Sequence, residues 1–280
     1  MAKKVLLPGQ GATAHSLGID EVAALLDSCD ADSFAVLREA LKSDTRKGIA
    51  RLIARTERRL EVASRETARL EGLYAFEAQM AAERGVHVWA GLDEVGRGPI
   101  AGPLAAGAVV LDSSTRILGL NDSKQLSPEA REDIASRVKE QARAWHVAFV
   151  DNEFIDAHGM VASLKRAFSE ALAAVQEALA ASGVAVELAL LDGNPLGFDA
   201  REANVVKGDA RCASIAAASI IAKVERDRLM CEYAELYPEY GWESNKGYGT
   251  EAHLEAIRQY GLTPLHRSSF CTSFSQLSLF

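Results

Sequence analysis

VHVWAGLDEVGRGPIAGPLAAGAVVL, residues 86–111, decides how this chain is read. Residues 86–92 are apolar and rich in β-branched and aromatic side chains, which predicts a buried strand carrying Asp93 and Glu94 at its end or just inside it. Gly96, Arg97 and Gly98 follow, and the missing Cβ atoms let backbone N–H and C=O groups approach a ligand closely. Adjacent carboxylates withdrawn from water repel each other and need a cation or a proton. A hard divalent metal bound to an oxygen-rich substrate supplies one. Asp-Glu alone reads more simply as an acidic turn after a strand; the Gly-Arg-Gly beside it favours a functional site.

Two further carboxylates share this setting. VAVELALLDGN (184–194) predicts a buried strand ending at Asp192 before a turn glycine. NVVKGDARCASIAAASIIAKVERDR (204–228) predicts a short strand, then Lys207-Gly208-Asp209, then a helix. Judged singly, Asp192 is an Asp-Gly turn residue and Asp209 a helix N-cap. Together with Asp93 and Glu94 they place four carboxylates near strand ends or helix starts of one α/β unit. Two magnesium ions about 4 Å apart need such a set to activate a water and stabilise a leaving oxygen.

With these residues in view, the chain resembles the bacterial type 2 ribonucleases H, ribonuclease HII in particular. The resemblance covers residues 86–270 and rests on six motifs in order. They are AGLDEVGRGPIAGP (90–103), NDSKQLS (121–127), LLDG (190–193), KGDARCASIAAASIIAKVERDR (207–228), NKGYGT (245–250) and LHRSSF (265–270). The resemblance implies a ribonuclease H-like mixed sheet flanked by helices. It also implies an endonuclease that cuts 5′ to ribonucleotides embedded in duplex DNA or in RNA/DNA hybrids, leaving 3′-hydroxyl and 5′-phosphate ends. Asp93, Glu94, Asp192 and Asp209 become the catalytic set that holds Mg2+ or Mn2+. Gly96, Arg97 and Gly98 become the backbone reader of the ribose 2′-hydroxyl, with Tyr248 packed at the junction. The Gly-Arg-Gly favours the HII over the HIII type. Cys212 stands where a small hydroxyl residue is expected, which puts one phosphate contact in doubt, while Ser214 is kept.

Composition agrees. No apolar run is long enough to span a bilayer, and the start, MAKKVLLPGQGATA, makes a poor signal peptide, so a cytoplasmic protein is expected. Cys29, Cys212, Cys231 and Cys271 show no CxxC spacing and read as reduced thiols. The six histidines form no close metal-binding pair, which favours magnesium or manganese over zinc. The net charge of −8 is uneven: residues 1–85 hold 13 Lys/Arg and 13 Asp/Glu, so the remainder carries the deficit. DNA contact then depends on local basic groups, of which Lys124, Lys207, Arg211, Lys223, Lys246 and Arg267 lie in or beside the motifs. Lys124, Lys207, Arg211 and Ser214 are the candidates for phosphate contact.

Outside the motifs, residues 19–26 and 34–41 predict short amphipathic helices, and residues 44–83 a long one. Residues 46–69 carry eight basic against three acidic side chains, a solvated ion-paired face or an auxiliary duplex-binding arm. The change from helical period to strand at Arg84-Gly85 suggests a helical extension over 1–85 and a catalytic domain over 86–270. Within the latter, residues 107–111 and 145–150 predict strands. Residues 128 onward, 159–181 and 209–237 predict helices, and Thr250 caps one more. Residues 271–280 read as a flexible tail. Its Gln276, Leu277, Leu279 and Phe280 resemble the motif that docks into the bacterial sliding clamp. A monomer is expected. Two other readings stay open: a transposase-like or junction-resolving nuclease with the same metal logic, and a binding module whose carboxylates are structural.

Overall fold

The computed structural model describes residues 17–112 and 114–272. The chain forms two compact units that divide at Arg69–Leu70. In the first, α1 (Ile19–Ser28), α2 (Ala31–Ala40) and the opening turns of α3 (Lys47–Ala82) bury Val22, Leu26, Phe34, Leu37 and Ile49. The Asp30 side chain accepts the Ser33 N–H at 2.8 Å and caps α2. Part of the basic face is committed here: Arg55 pairs with Asp27 at 2.5 Å, and Arg59 donates to the Leu26 and Cys29 carbonyls. Arg51 and Arg58 are exposed.

The second unit is a mixed five-stranded sheet between helices. Its strands are β1 (Trp89–Val95), β2 (Leu104–Val110), β3 (Ala144–Val150), β4 (Leu188–Asp192) and β5 (Glu202–Val205), in the order β3-β2-β1-β4-β5. The first three are antiparallel neighbours, while β4 and β5 run parallel to β1. Alternation assigns the faces. Ala90, Leu92, Ala189 and Leu191 pack with Phe168 and Leu172 of α5 (Asn152–Ala180). On the other face, α6 (Ala213–Leu236) lies directly on β1 and β2, with α4 (Pro128–Gln141) beside it. Gly91 and Gly107 make this approach possible: a Cβ at Gly91 would meet the Ser214 carbonyl carbon at 2.2 Å, and one at Gly107 the Ala218 oxygen at 2.4 Å. The short α7 (Trp242–Asn245) and α8 (Glu251–Tyr260) complete the unit, and Thr250 caps α8 as its sequence predicts.

Several boundaries differ from the sequence reading. β1 runs from Trp89 to Val95, which puts Asp93 and Glu94 just inside the strand, one of the two placements the sequence allowed. α5 starts at Asn152, capped by Asp151, and Gly159, with φ +76, interrupts it rather than starting it. Asp209 occupies a 3-10 turn, Gly208–Ala210, ahead of α6 and does not cap that helix. Among the described residues no helix is long and apolar enough to cross a membrane.

Candidate active site

The four acids converge through sheet register. Leu92 pairs with Leu191, which sets Asp93 level with Asp192 on adjacent parallel strands. Both point to the α6 face, where the hydroxyl of Ser219 stands near Asp93 and offsets part of its shift. Ser219 lies 3.1 Å from the Ser123 hydroxyl, which ties the NDSKQLS segment to the same point. Beyond β5, Gly208 donates its N–H to Asp192 at 2.6 Å, and the following residue is Asp209. A Cβ at Gly208 would meet the tip of the Ile215 side chain at 2.6 Å and the Asp192 carboxylate at 3.3 Å, so a larger residue would crowd this turn.

Electrostatics show the cost of this gathering. Burial pushes the Asp93 carboxyl well above the usual carboxylate range, and the neighbouring Glu94 and Asp192 charges add to the shift. Burial raises Glu94 as well, against an ion pair with Arg97 at 3.0 Å. Asp209 is raised by burial and then by Asp192 and Asp122, with Lys124 opposing. A cation would relieve this strain, and the donors are all oxygens, as magnesium or manganese prefer. Among the described residues no three such groups yet stand close enough to clasp one ion.

Beside the acids, three motif segments stack. Gly96 leaves β1 with φ +93, a conformation suited to glycine. Ile100 and Ala101 both donate to the Gly247 carbonyl, at 2.9 and 3.2 Å. Gly102 donates to Leu265, and Arg267 donates back to Ile100. The Gly-Arg-Gly loop, NKGYGT and LHRSSF thus form one platform, on which a methyl group at Gly98 would touch the half-exposed Tyr248 ring at 3.6 Å.

Two family models match this chain: "Ribonuclease HII" over residues 90–273 and "Ribonuclease HII N-terminal domain" over residues 18–81. The chain belongs to the ribonuclease HII family. It is 40% identical to the ribonuclease HII of Clostridium acetobutylicum over 260 residues, 91% of this chain and 98% of that one. Among solved structures, the ribonuclease H2 of Pyrococcus horikoshii superposes with a TM-score of 0.58 at 29% identity. That match covers 69% of this chain and 99% of the other. The ribonuclease HII of Archaeoglobus fulgidus, solved in a complex with PCNA, gives 0.53 at 27% identity over 65% and 94%. The ribonuclease H fold and a nuclease activity of that class follow from the membership.

The family's basic and hydroxyl candidates fare unequally. Lys124, Lys207 and Arg211 are exposed; Lys207 holds a left-handed backbone (φ 57), and Arg211 stacks over Phe76 at 4.1 Å. Ser214 is fully buried, contrary to a phosphate-contact role, because its N–H and hydroxyl both donate to Glu77, at 2.9 and 2.7 Å. Arg267 is likewise fully buried, so it cannot serve as a surface phosphate contact. Lys223 is engaged with Asp227 at 2.8 Å. Gln276, Leu277, Leu279 and Phe280 lie outside the described residues.

Sequence reasoning missed several residues that support the site. Glu77, raised by burial, holds the first turn of α6. His253 donates from Nδ1 to the Tyr248 carbonyl at 2.8 Å, which leaves its Nε2 to accept from Trp242 and from His266. A signal for Glu77 was present in the i, i+3 and i, i+4 rows it shares with the buried Leu70, Leu73, Tyr74 and Ala81.

Proposed function

We propose that this site hydrolyses the phosphodiester 5′ to a ribonucleotide embedded in duplex DNA or in an RNA/DNA hybrid, leaving a 3′-hydroxyl and a 5′-phosphate. The cut would begin the removal of ribonucleotides from DNA in the cytoplasm, by a monomer. One observation carries the reading: carboxylates at level positions on adjacent strands stand immediately before a backbone loop that adjoins Tyr248. Asp93, Glu94, Asp192 and Asp209 are the residues that would hold Mg2+ or Mn2+. When bound, such ions supply charge stabilisation for an in-line displacement at phosphorus.

The chain's own part is positioning. The Glu94 N–H fixes the Asp93 carboxylate, with Ser219 near it, and the Gly208 N–H fixes that of Asp192. The backbone of Gly96, Arg97 and Gly98 tests for the 2′-hydroxyl, the group that separates a ribose from a deoxyribose at that place. Tyr248 packs against the neighbouring sugar, and Lys124, Lys207 and Arg211 face phosphates. Through Gln276, Leu277, Leu279 and Phe280 the chain would bind the bacterial sliding clamp.

Incubation with magnesium and a duplex carrying one ribonucleotide, beside an all-DNA duplex, tests the reading. Cleavage 5′ to the ribonucleotide alone is expected. Equal cutting of both would favour a general DNA nuclease, and binding without cutting a structural module.

A further inference from the structure

Arg226 and Arg267 are both fully buried, and among the described residues no carboxylate lies within ion-pair distance of either. Burial of unpaired guanidinium groups is costly, so their partners are informative. Every hydrogen-bond partner among the described residues is a backbone carbonyl of the recognition platform, and Arg267 also lies over the Phe270 ring at 5.4 Å. Arg267 donates to Gly96 at 2.7 Å, to Arg97 at 3.2 Å and to Gly102 at 2.9 Å. Arg226 donates to Pro103 at 2.8 Å, to Ala101 at 3.3 Å and to Lys246 at 3.0 Å. The first arginine gathers the Gly-Arg-Gly loop; the second joins its continuation to the segment leading into Tyr248.

A trans peptide points its C=O and N–H in opposite directions. The carbonyls of Gly96 and Arg97 turn inward to Arg267, so the N–H groups of the same peptides, on Arg97 and Gly98, turn the other way. Neither N–H has an acceptor in the chain among the described residues. Two successive free N–H groups backed by a buried cation make a concave donor site for an oxygen. A lysine could supply the charge but not the rigid fork that takes several carbonyls at once.

We propose that Arg267, braced by Arg226, is the positioning residue that aims the Arg97 and Gly98 N–H donors at the ribose 2′-hydroxyl and locks that aim to the Tyr248 segment. The inference rests on the reading of Gly96 to Gly98 given above and adds what sets their geometry. Its consequence is selectivity: loss of the fork should blur the distinction between ribose and deoxyribose before it weakens duplex binding in general.

The test compares the full chain with Arg267→Lys and Arg226→Lys. Fluorescence anisotropy would give the affinity for a duplex with one ribonucleotide and for the same duplex in all-DNA form. Arg267→Lys should lower the ratio of the two affinities by about tenfold, the worth of roughly one hydrogen bond, with all-DNA binding unchanged. A ratio equal to wild type in a folded Arg267→Lys protein would overturn the proposal. A wild-type ratio of one would instead remove the 2′-hydroxyl reading beneath it. If the variants fail to fold, amide resonances of the wild-type chain decide. Arg97 and Gly98 should exchange quickly when free and shift with the ribonucleotide duplex but not with the all-DNA one. Protected amides, or equal shifts with both duplexes, would refute the geometry.

Discussion

Asp93 is buried among charges of its own sign, and burial with those neighbours pushes its carboxyl well above the usual carboxylate range. Asp93→Asn should therefore abolish cleavage of a ribonucleotide-bearing duplex while the metal-free protein unfolds in urea at the wild-type free energy or about 1 kcal/mol above it. Substantial magnesium-dependent cleavage by the variant would refute the assignment. A second titration belongs to His266, whose ring is pushed from 6.5 down to about 4 by burial and by His253. With the folded value depressed, the unfolded chain takes up a proton first as pH falls. Stability is complete above about 6.5 and declines toward 4, by about 3 kcal/mol in full. Urea unfolding at about pH 7 and about pH 4.5 should show wild type losing its advantage over His266→Asn at the lower pH. An unchanged gap would assign the acid sensitivity elsewhere. At this scale, residue type and place made the four acids legible. Charge misled for Arg267 and left Arg226 unremarked, because a sequence marks a cation without showing that carbonyls surround it. The only hint is that Arg226 sits between Ala222 and Met230 on a buried helical row.

The contact between β1, β2 and α6 is where one element most constrains another. α6 carries Ser219 to Asp93 and begins just after Asp209, so its distance from the sheet sets the spacing of the acids. Gly107 pairs with Asp93 across the strands, and the Ala218 oxygen fills the place of its missing side chain. Gly107→Ala should force backbone apart and destabilise by about 2–3 kcal/mol, with a larger proportional loss of cleavage than of duplex binding. A variant of wild-type stability and activity would mean that helix and strand do not pack so closely. Most elements were legible from their periodicity and caps: Ser127 before Pro128 and Thr250 before Glu251 both hold their helices as expected. The start of α5 was not, because Gly159 looks like a boundary in sequence while the cap that matters is Asp151, whose side chain accepts the Phe154 N–H. Strand pairing was not legible either. The level placement of Asp93 and Asp192 comes from the parallel β1–β4 register, between segments about a hundred residues apart.

A net charge of −8 is unhelpful to an enzyme that must find a polyanion. Tethering to a DNA-encircling partner would supply the local concentration that the global field does not. The segment Gln276-Leu277-Ser278-Leu279-Phe280 has the chemistry for it, with a polar lead residue and a terminal pair of large apolar side chains able to anchor in a hydrophobic pocket. The sequence motif alone supports this step, since the segment lies outside the described residues. The expected behaviour is a direct, micromolar interaction between the full chain and the sliding clamp of its own organism. Changing Leu279 and Phe280 to Ala should abolish that binding. Cleavage of a short duplex free in solution should not change, because the catalytic motifs all precede the tail. On clamp-loaded circular DNA the same variant should cut more slowly, since only there does the tether raise the effective concentration. A calorimetric titration at about 100 μM that shows no heat with the wild-type chain would rule the interaction out.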